Sequence, residues 1–177
     1  LPPAGRWLTW LMAVWLIIEG IAYALRIEGQ SNWLVYMMLS FLEIIVVTMF
    51  YQSIFRSENA KTICTALAWV GLFIIVAEYS MVQSPENVIG ILYECAFFFG
   101  MGLFALYEMK LLKTSLQFKF INTVVMFFFL TSAIYYASWK FMDKETFLTA
   151  VTAHAYLLIL SYGFFTYGLW KLRGSQS

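Results

Sequence analysis

Charged residues are scarce in this sequence. Only 12% of the residues are charged, whereas 62% are hydrophobic and 20% are aromatic. A soluble domain has about 45–50% apolar and about 25% charged residues, so this balance indicates that a lipid bilayer surrounds the chain. The formal net charge is only +1, and the sequence therefore lacks the basic surface of nucleic-acid-binding proteins, so no nucleic-acid partner is expected.

Cysteine and histidine, which hold most metals and cofactors, are also rare. Cys64 and Cys95 lie in apolar runs outside any CxxC or Cys/His cluster, so we expect small core residues and not a disulfide or a metal pair. His154 is the only histidine. A haem held by two imidazoles and a zinc site of the HExxH type each need two histidines, so both are excluded. No GxSxG motif is present, so no catalytic residue is assigned, and the metal and cofactor stay unknown.

Long apolar runs account for most of the chain and predict an all-α polytopic membrane protein. Each run can cross a hydrocarbon core about 30 Å thick at about 1.5 Å per residue. Short polar segments between the runs predict antiparallel hairpins in a single six-helix domain over residues 1–173. The tail over 174–177 resembles a remnant of cloning, and the start at Leu1 without a Met suggests processing but not a cleavable signal peptide. The predicted spans are 7–25, 33–55, 62–82, 88–107, 118–139 and 147–170.

Basic residues are distributed unequally between the two sides of these spans. Arg26, Lys140 and Lys144 fall on one side, and the other eight basic residues fall on the side of both termini. Positively charged loops stay in the cytoplasm, so both termini are predicted to be cytoplasmic. The cluster of Lys110, Lys113 and Lys119 is explained by the same rule, although it could also contact anionic lipid or a cytoplasmic partner.

Ionisable residues inside the spans are the strongest functional signal. Lysine and arginine are absent from the span interiors, yet four glutamates and the histidine lie there. Such groups cost several kcal/mol unless they are paired, hydrated or neutralised, so each is a candidate for function. With the predicted orientation, all five lie about 9–15 Å below the outer ends of their spans, in the outer half of the bilayer. These residues are Glu19, Glu43, Glu78, Glu94 and His154.

If the helices close into a bundle, these five side chains are expected to line one cavity that opens outward and binds a small ligand, a proton or a cation. Neighbouring tyrosines could donate hydrogen bonds or offer ring faces to a cation. The alternative is that each glutamate only joins two helices by a hydrogen bond, and that His154 is a packing residue. The tyrosines are Tyr23, Tyr79, Tyr93, Tyr135, Tyr136 and Tyr156.

Two spacings of small residues, Ala96 to Gly100 and Ala133 to Ala137, are typical of close helix packing.

The chain also resembles uncharacterised six-span bacterial membrane proteins related to modules found beside sensor histidine kinases. The residues that carry the resemblance are Trp33-x-x-Tyr36, Phe41-Leu42-Glu43, Tyr93-Glu94, Phe120-Ile121-Asn122, Ala153-His154-Ala155 and Trp170-Lys171. The resemblance implies a bacterial plasma membrane and a signalling context. The sequence holds no kinase, dimerisation-helix or receiver motif, so signalling follows from the resemblance alone.

Three functions fit these observations. The first is a noncatalytic membrane sensor or accessory module whose polar site changes helix packing and whose charged ends contact a membrane or cytoplasmic protein. The second is a small transporter or substrate-binding subunit for a cation or cationic metabolite, similar to the substrate-binding subunits of energy-coupling-factor transporters, although their AxxxA motif is missing from the first span. The third is an intramembrane enzyme with His154 as the base and a glutamate as its partner.

Overall fold

The structure, a computed structural model, describes residues 3–30, 33–81, 89–111, 116–138 and 141–174. Each of these stretches is helical over most of its length, as expected from the continuous apolar runs, because a helix satisfies every backbone hydrogen bond within one segment. The all-α fold class is therefore confirmed. The helices are α1 (Pro3–Ile27), α2 (Trp33–Ile54), α3 (Glu58–Met81), α4 (Ile89–Leu111), α5 (Leu116–Ser138) and α6 (Lys144–Gly174).

Five of the helices are long and apolar enough to cross a membrane, as expected of an integral membrane protein. Many of their large apolar side chains are exposed, for example Leu16 at 74% and Phe73 at 73%, which suits contact with lipid. The span predicted at 88–107 begins outside the described residues, so the count of six spans stays a prediction. The candidate spans are Pro3–Leu25, Leu34–Ile54, Glu58–Glu78, Phe118–Tyr135 and Thr149–Lys171.

The helices extend past several of the predicted spans because local polar contacts satisfy their ends. At the end of α1, Gly29 has a φ of 69°, and the Gln30 amide donates to the Leu25 carbonyl at 2.9 Å. This is the Schellman arrangement, in which glycine adopts the left-handed conformation without steric cost. At the start of α3, the Ser57 hydroxyl accepts from the Ala60 amide at 3.4 Å, as an N-cap residue does.

Contacts divide the chain into two compact units. The N-terminal unit, Pro3–Gly90, contains α1, α2 and α3, in which α2 packs against both of its neighbours. The C-terminal unit, Ile91–Ser177, contains most of α4 together with α5 and α6. The prediction of a single domain over residues 1–173 stays a prediction.

The core of the N-terminal unit consists of stripes of buried side chains at helical spacing. On α2 the fully buried residues Ile44, Val47 and Tyr51 recur every three or four positions, as expected for one face of a helix. On α3 the buried stripe begins at Ala60 and continues with Cys64, which is a free thiol. Cys95 in α4 is likewise buried and outside any disulfide of the described residues, so the expectation of small core residues is confirmed for both cysteines.

In the C-terminal unit, α5 and α6 approach each other closely at a glycine. A Cβ atom added to Gly168 of α6 would lie 2.7 Å from Cγ1 of Ile121 in α5, so only glycine fits there without a shift. The expectation of close packing at Ala96 and Gly100 was wrong within the described chain, because Ala96 is exposed and a Cβ on Gly100 would meet nothing within 4 Å. Short spacing alone does not define which face of a helix meets its neighbour.

Candidate functional site

Glu43 is the most deeply placed acid of the N-terminal unit. Its side chain is only 8% exposed, and its Oε1 atom accepts a hydrogen bond from the indole Nε1 of Trp15. The bond joins α1 to α2 across a buried contact, and Trp15 itself is 3% exposed. A carboxylate in low dielectric needs such donors, because burial without them costs several kcal/mol. The indole thus supplies part of what water would supply outside the membrane.

A second carboxylate contact joins the same two helices nearer the outer end of the predicted spans. The hydroxyl of Tyr36 in α2 donates to Oε2 of Glu19 in α1 at 3.3 Å. Glu19 follows Trp15 along α1 and Tyr36 precedes Glu43 along α2, which is the order expected for two antiparallel helices. We call Trp15, Glu19, Tyr36 and Glu43 the α1–α2 polar contact. Two of the five predicted ionisable residues therefore lie on one helix pair.

Glu78 makes a different kind of contact. Its Oε1 atom accepts from the backbone amide of Ile89, the first residue of α4, at 3.1 Å. The first amides of a helix have no partner within the helix, and a negative charge there is favourable to the helix dipole. This contact supports a helix-capping role for Glu78, which is the structural alternative to ligand binding.

Glu94 is the buried acid of the C-terminal unit, with 2% of its side chain exposed. The rings of Phe98 in α4 and Phe129 in α5 lie 4.4 Å apart and fix the register of these helices. One turn back on α4 is Glu94, and one turn forward on α5 is Ser132, so the two residues lie at the same level. Ser132 is 4% exposed, and its hydroxyl oxygen has no hydrogen-bond partner among the described residues.

His154 belongs to the same unit and lies on α6. Its ring stacks on that of Tyr135 in α5, with centroids 4.5 Å apart and planes inclined by 6°. Tyr135 is one turn beyond Ser132 on α5, so the stacked pair lies about one turn from the level of Glu94 and Ser132. We call Glu94, Ser132, Tyr135 and His154 the C-terminal polar layer. His154 is half-buried, and its ring packs against Tyr135.

The predicted tyrosines have different surroundings. Tyr23 is 64% exposed and Tyr156 is 65% exposed, whereas Tyr93 is half-buried and stacks on Phe97 with centroids 6.4 Å apart. The side chains of Tyr79 and Tyr136 lie outside the described residues. The common cavity predicted from the sequence includes residues of both units, and it stays a prediction.

Sequence reasoning missed two buried polar residues. It assigned no role to Trp15, which is in the middle of its span, where an indole N–H needs an acceptor. It assigned no role to Asn122, which is fully buried and donates from Nδ2 to the Gly102 carbonyl at 2.8 Å. A lone asparagine within an apolar run is the signal that could have identified it, since interhelical hydrogen bonds in membranes commonly use such side chains.

These groups offer hydrogen-bond acceptors and donors. The described part of the chain contains no cluster of three His, Cys, Asp or Glu side chains that could hold a metal ion. Carboxylate and hydroxyl oxygens with neighbouring aromatic rings suit a proton or a weakly held cation.

No family model matches the chain, and no curated protein or solved structure matches it either. The resemblance to six-span bacterial proteins beside sensor kinases therefore stays a prediction. Function is inferred from the contacts of the chain itself.

Proposed function

We propose that this protein is a noncatalytic membrane sensor or accessory module, in which a polar intramembrane site binds a proton, a cation or a small cationic ligand. The observation that carries the proposal is the buried hydrogen bond from Trp15 to Glu43. It places an acid that can change its charge directly at the contact between two helices. A change at this acid is therefore a change in helix packing.

The coupling follows from the strength of the bond. A hydrogen bond to an ionised carboxylate is about twice as strong as one between neutral groups. When a proton or a cation neutralises Glu43, the indole of Trp15 is held less firmly, and α1 is freer to shift against α2. The Tyr36 hydroxyl and Glu19 extend this contact toward the outer side. Glu19 is exposed, so these are the polar groups that a ligand from outside would contact first.

The C-terminal polar layer supplies a second set of suitable groups. Glu94 and Ser132 are buried, and the stacked rings of Tyr135 and His154 lie about one helical turn away. Aromatic faces attract cations, most strongly where water is excluded. We assign both groups of residues to the same function, binding of a proton or cation, without assigning them to one cavity.

The proposal includes six spans with both termini in the cytoplasm of a bacterial plasma membrane. The excess of basic residues on the terminal side supports this orientation, and it places both polar groups in the outer half of the bilayer. Single cysteines at exposed Glu28 and Glu58, in a chain without Cys64 and Cys95, test it in intact cells. An impermeant thiol reagent should label residue 28 and leave residue 58 unlabelled; the reverse would overturn the orientation.

Ligand binding is tested with the full chain in nanodiscs. The melting temperature is measured over a range of pH to test proton binding. It is then measured with sodium, as a metal cation, and with tetramethylammonium, as an organic cation. The wild type should shift with at least one of them. Glu43→Gln and Glu94→Gln should reduce the shift, whereas Glu58→Gln should not, because Glu58 is exposed and pairs with Lys61 at 2.7 Å.

An equal shift in the wild type, Glu43→Gln and Glu94→Gln would overturn the proposal. Uptake of a cation into proteoliposomes that depends on Glu19 or Glu78 would instead favour the transporter, because a sensor has no need to move its ligand across the membrane.

A further inference from the structure

An apolar groove lies between α5 and α6 on the surface of the C-terminal unit. Its volume is about 500 Å³, which is within the range of small-molecule sites. All of its lining residues are apolar or aromatic, and most of α6 on this face is exposed. The lining residues are Phe120, Ile159, Leu160, Gly163, Phe164 and Tyr167.

Aromatic rings and a glycine give the groove its shape. The ring of Phe120 on α5 meets Phe164 and Tyr167 on α6 edge to face, at centroid distances of 6.1 and 6.0 Å. Gly163 leaves the space beside them open, since a Cβ added there would meet nothing within 4 Å. The result is an open surface groove between aromatic rings, whose apolar lining suits a hydrocarbon chain.

One end of the groove carries positive charge. The Nζ atom of Lys171 lies 5.7 Å from the ring centroid of Tyr167 and 5.3 Å from that of Trp170. Cation–π attraction holds the ammonium group beside the groove. Since Ile121 meets Gly168, the antiparallel register places Lys119 at the level of Trp170. Two basic residues therefore lie at the same end of an otherwise apolar groove.

We propose that this groove binds an anionic phospholipid, with an acyl chain along Phe120, Gly163 and Phe164 and the phosphate at Lys171 and Lys119. The charge at the end of the groove selects the headgroup, because a lysine near a membrane surface favours anionic lipid by about 1 kcal/mol, or about five-fold. The aromatic rings below it lie where such rings are common, at the level of the headgroups. This lipid site is independent of the polar residues of the proposed function.

The test is native mass spectrometry of the full chain with equal amounts of phosphatidylglycerol and phosphatidylcholine of identical acyl chains. The wild type should retain more phosphatidylglycerol. Lys171→Gln should lower the ratio of the two lipids about five-fold, and Lys119→Gln should lower it as well. Arg173→Gln is the matched control, because Arg173 is exposed and two residues along the helix, about 200° around its axis.

The groove itself is tested by filling it. Gly163→Leu should reduce retention of both lipids, whereas Gly20→Leu should not, since Gly20 also has open space around its Cβ position but lies on α1. Helical circular dichroism and melting temperature confirm folding of each variant.

Equal lipid ratios in Lys171→Gln and Arg173→Gln would overturn the headgroup assignment, and equal retention in Gly163→Leu and Gly20→Leu would overturn the acyl-chain assignment. If Gly163→Leu instead dissociates a dimer, a second copy of the chain covers the groove and the lipid proposal is wrong.

Discussion

In the N-terminal unit a carboxylate, Glu43, accepts an interhelical hydrogen bond from Trp15, whereas in the C-terminal unit an amide, Asn122, donates one to the Gly102 carbonyl at 2.8 Å. The carboxylate can gain a proton or bind a cation, but the amide stays uncharged under all physiological conditions. A contact made by the acid therefore responds to its surroundings, and a contact made by the amide only holds two helices together. The contact between Trp15 and Glu43 is therefore responsive, whereas the contact between Asn122 and Gly102 is structural.

The largest effect is expected at the responsive contact. Trp15→Phe keeps an aromatic ring but removes the N–H that Glu43 accepts, and it should lower the free energy of unfolding by about 1–3 kcal/mol. Unfolding in bicelles measures this change. Trp10→Phe is the control, because Trp10 is on the same helix and is 63% exposed; its effect should be close to zero.

A double-mutant cycle of Trp15→Phe with Glu43→Gln measures the interaction free energy between these two side chains. A coupling of about 1–2 kcal/mol is expected, at the upper end of values for interhelical hydrogen bonds in membranes. Additive effects of the two substitutions would show that the bond contributes little, and the comparison between the units would then lose its basis.

The next effect concerns how closely the helices of the C-terminal unit pack. Gly168→Ala puts a Cβ 2.7 Å from Ile121, and this overpacking should lower the free energy of unfolding by about 1–2 kcal/mol. Gly163→Ala is the matched control on the same helix and should be neutral or slightly stabilising, since its Cβ meets nothing within 4 Å and alanine is the better helix former.

Truncation of the neighbour distinguishes a steric effect from a propensity effect. With Ile121→Ala in place, Gly168→Ala should cost much less, because the atom that the new Cβ meets is gone. An unchanged cost in that background would mean that Gly168 is not a packing residue.

Helices and their order followed from the sequence because a run of about 20 apolar residues has few alternatives in a bilayer. Helix ends were less predictable: α6 begins at Lys144, three residues before the predicted span at 147–170, because polar capping extends a helix past its apolar part. The partners of Glu43 and Glu78 were not predictable. These helices are apolar on every side, so the sequence does not indicate which face of one helix turns toward the next.

Asn122 should be the least sensitive of the buried polar contacts. Its Nδ2 atom donates to Gly102, but its Oδ1 atom has no hydrogen-bond partner among the described residues. Asn122→Leu removes the bond and the unsatisfied oxygen together, so the free energy of unfolding should stay within about 0.5 kcal/mol of the wild type. A loss as large as that of Trp15→Phe would show that the amide contact is as important as the carboxylate contact, and the distinction between the units would fail.

The smallest effect is expected at an acid outside the spans, Asp143. Its Oδ1 atom accepts from the Thr146 amide at 2.8 Å as the N-cap of α6, and these hydrogen bonds lower the pKa of the carboxyl. The stabilisation is thus present above the ordinary carboxyl pKa of about 4 and is lost as the pH falls through the lowered value. Asp143→Ala should speed hydrogen exchange at the Thr146 amide, whereas Asp143→Asn, which also caps helices, should protect it at all pH values. Because this acid caps a helix end and joins no pair of helices, Asp143→Asn should leave the cation-dependent shift in melting temperature unchanged, and a lost shift would move the responsive site away from Glu43.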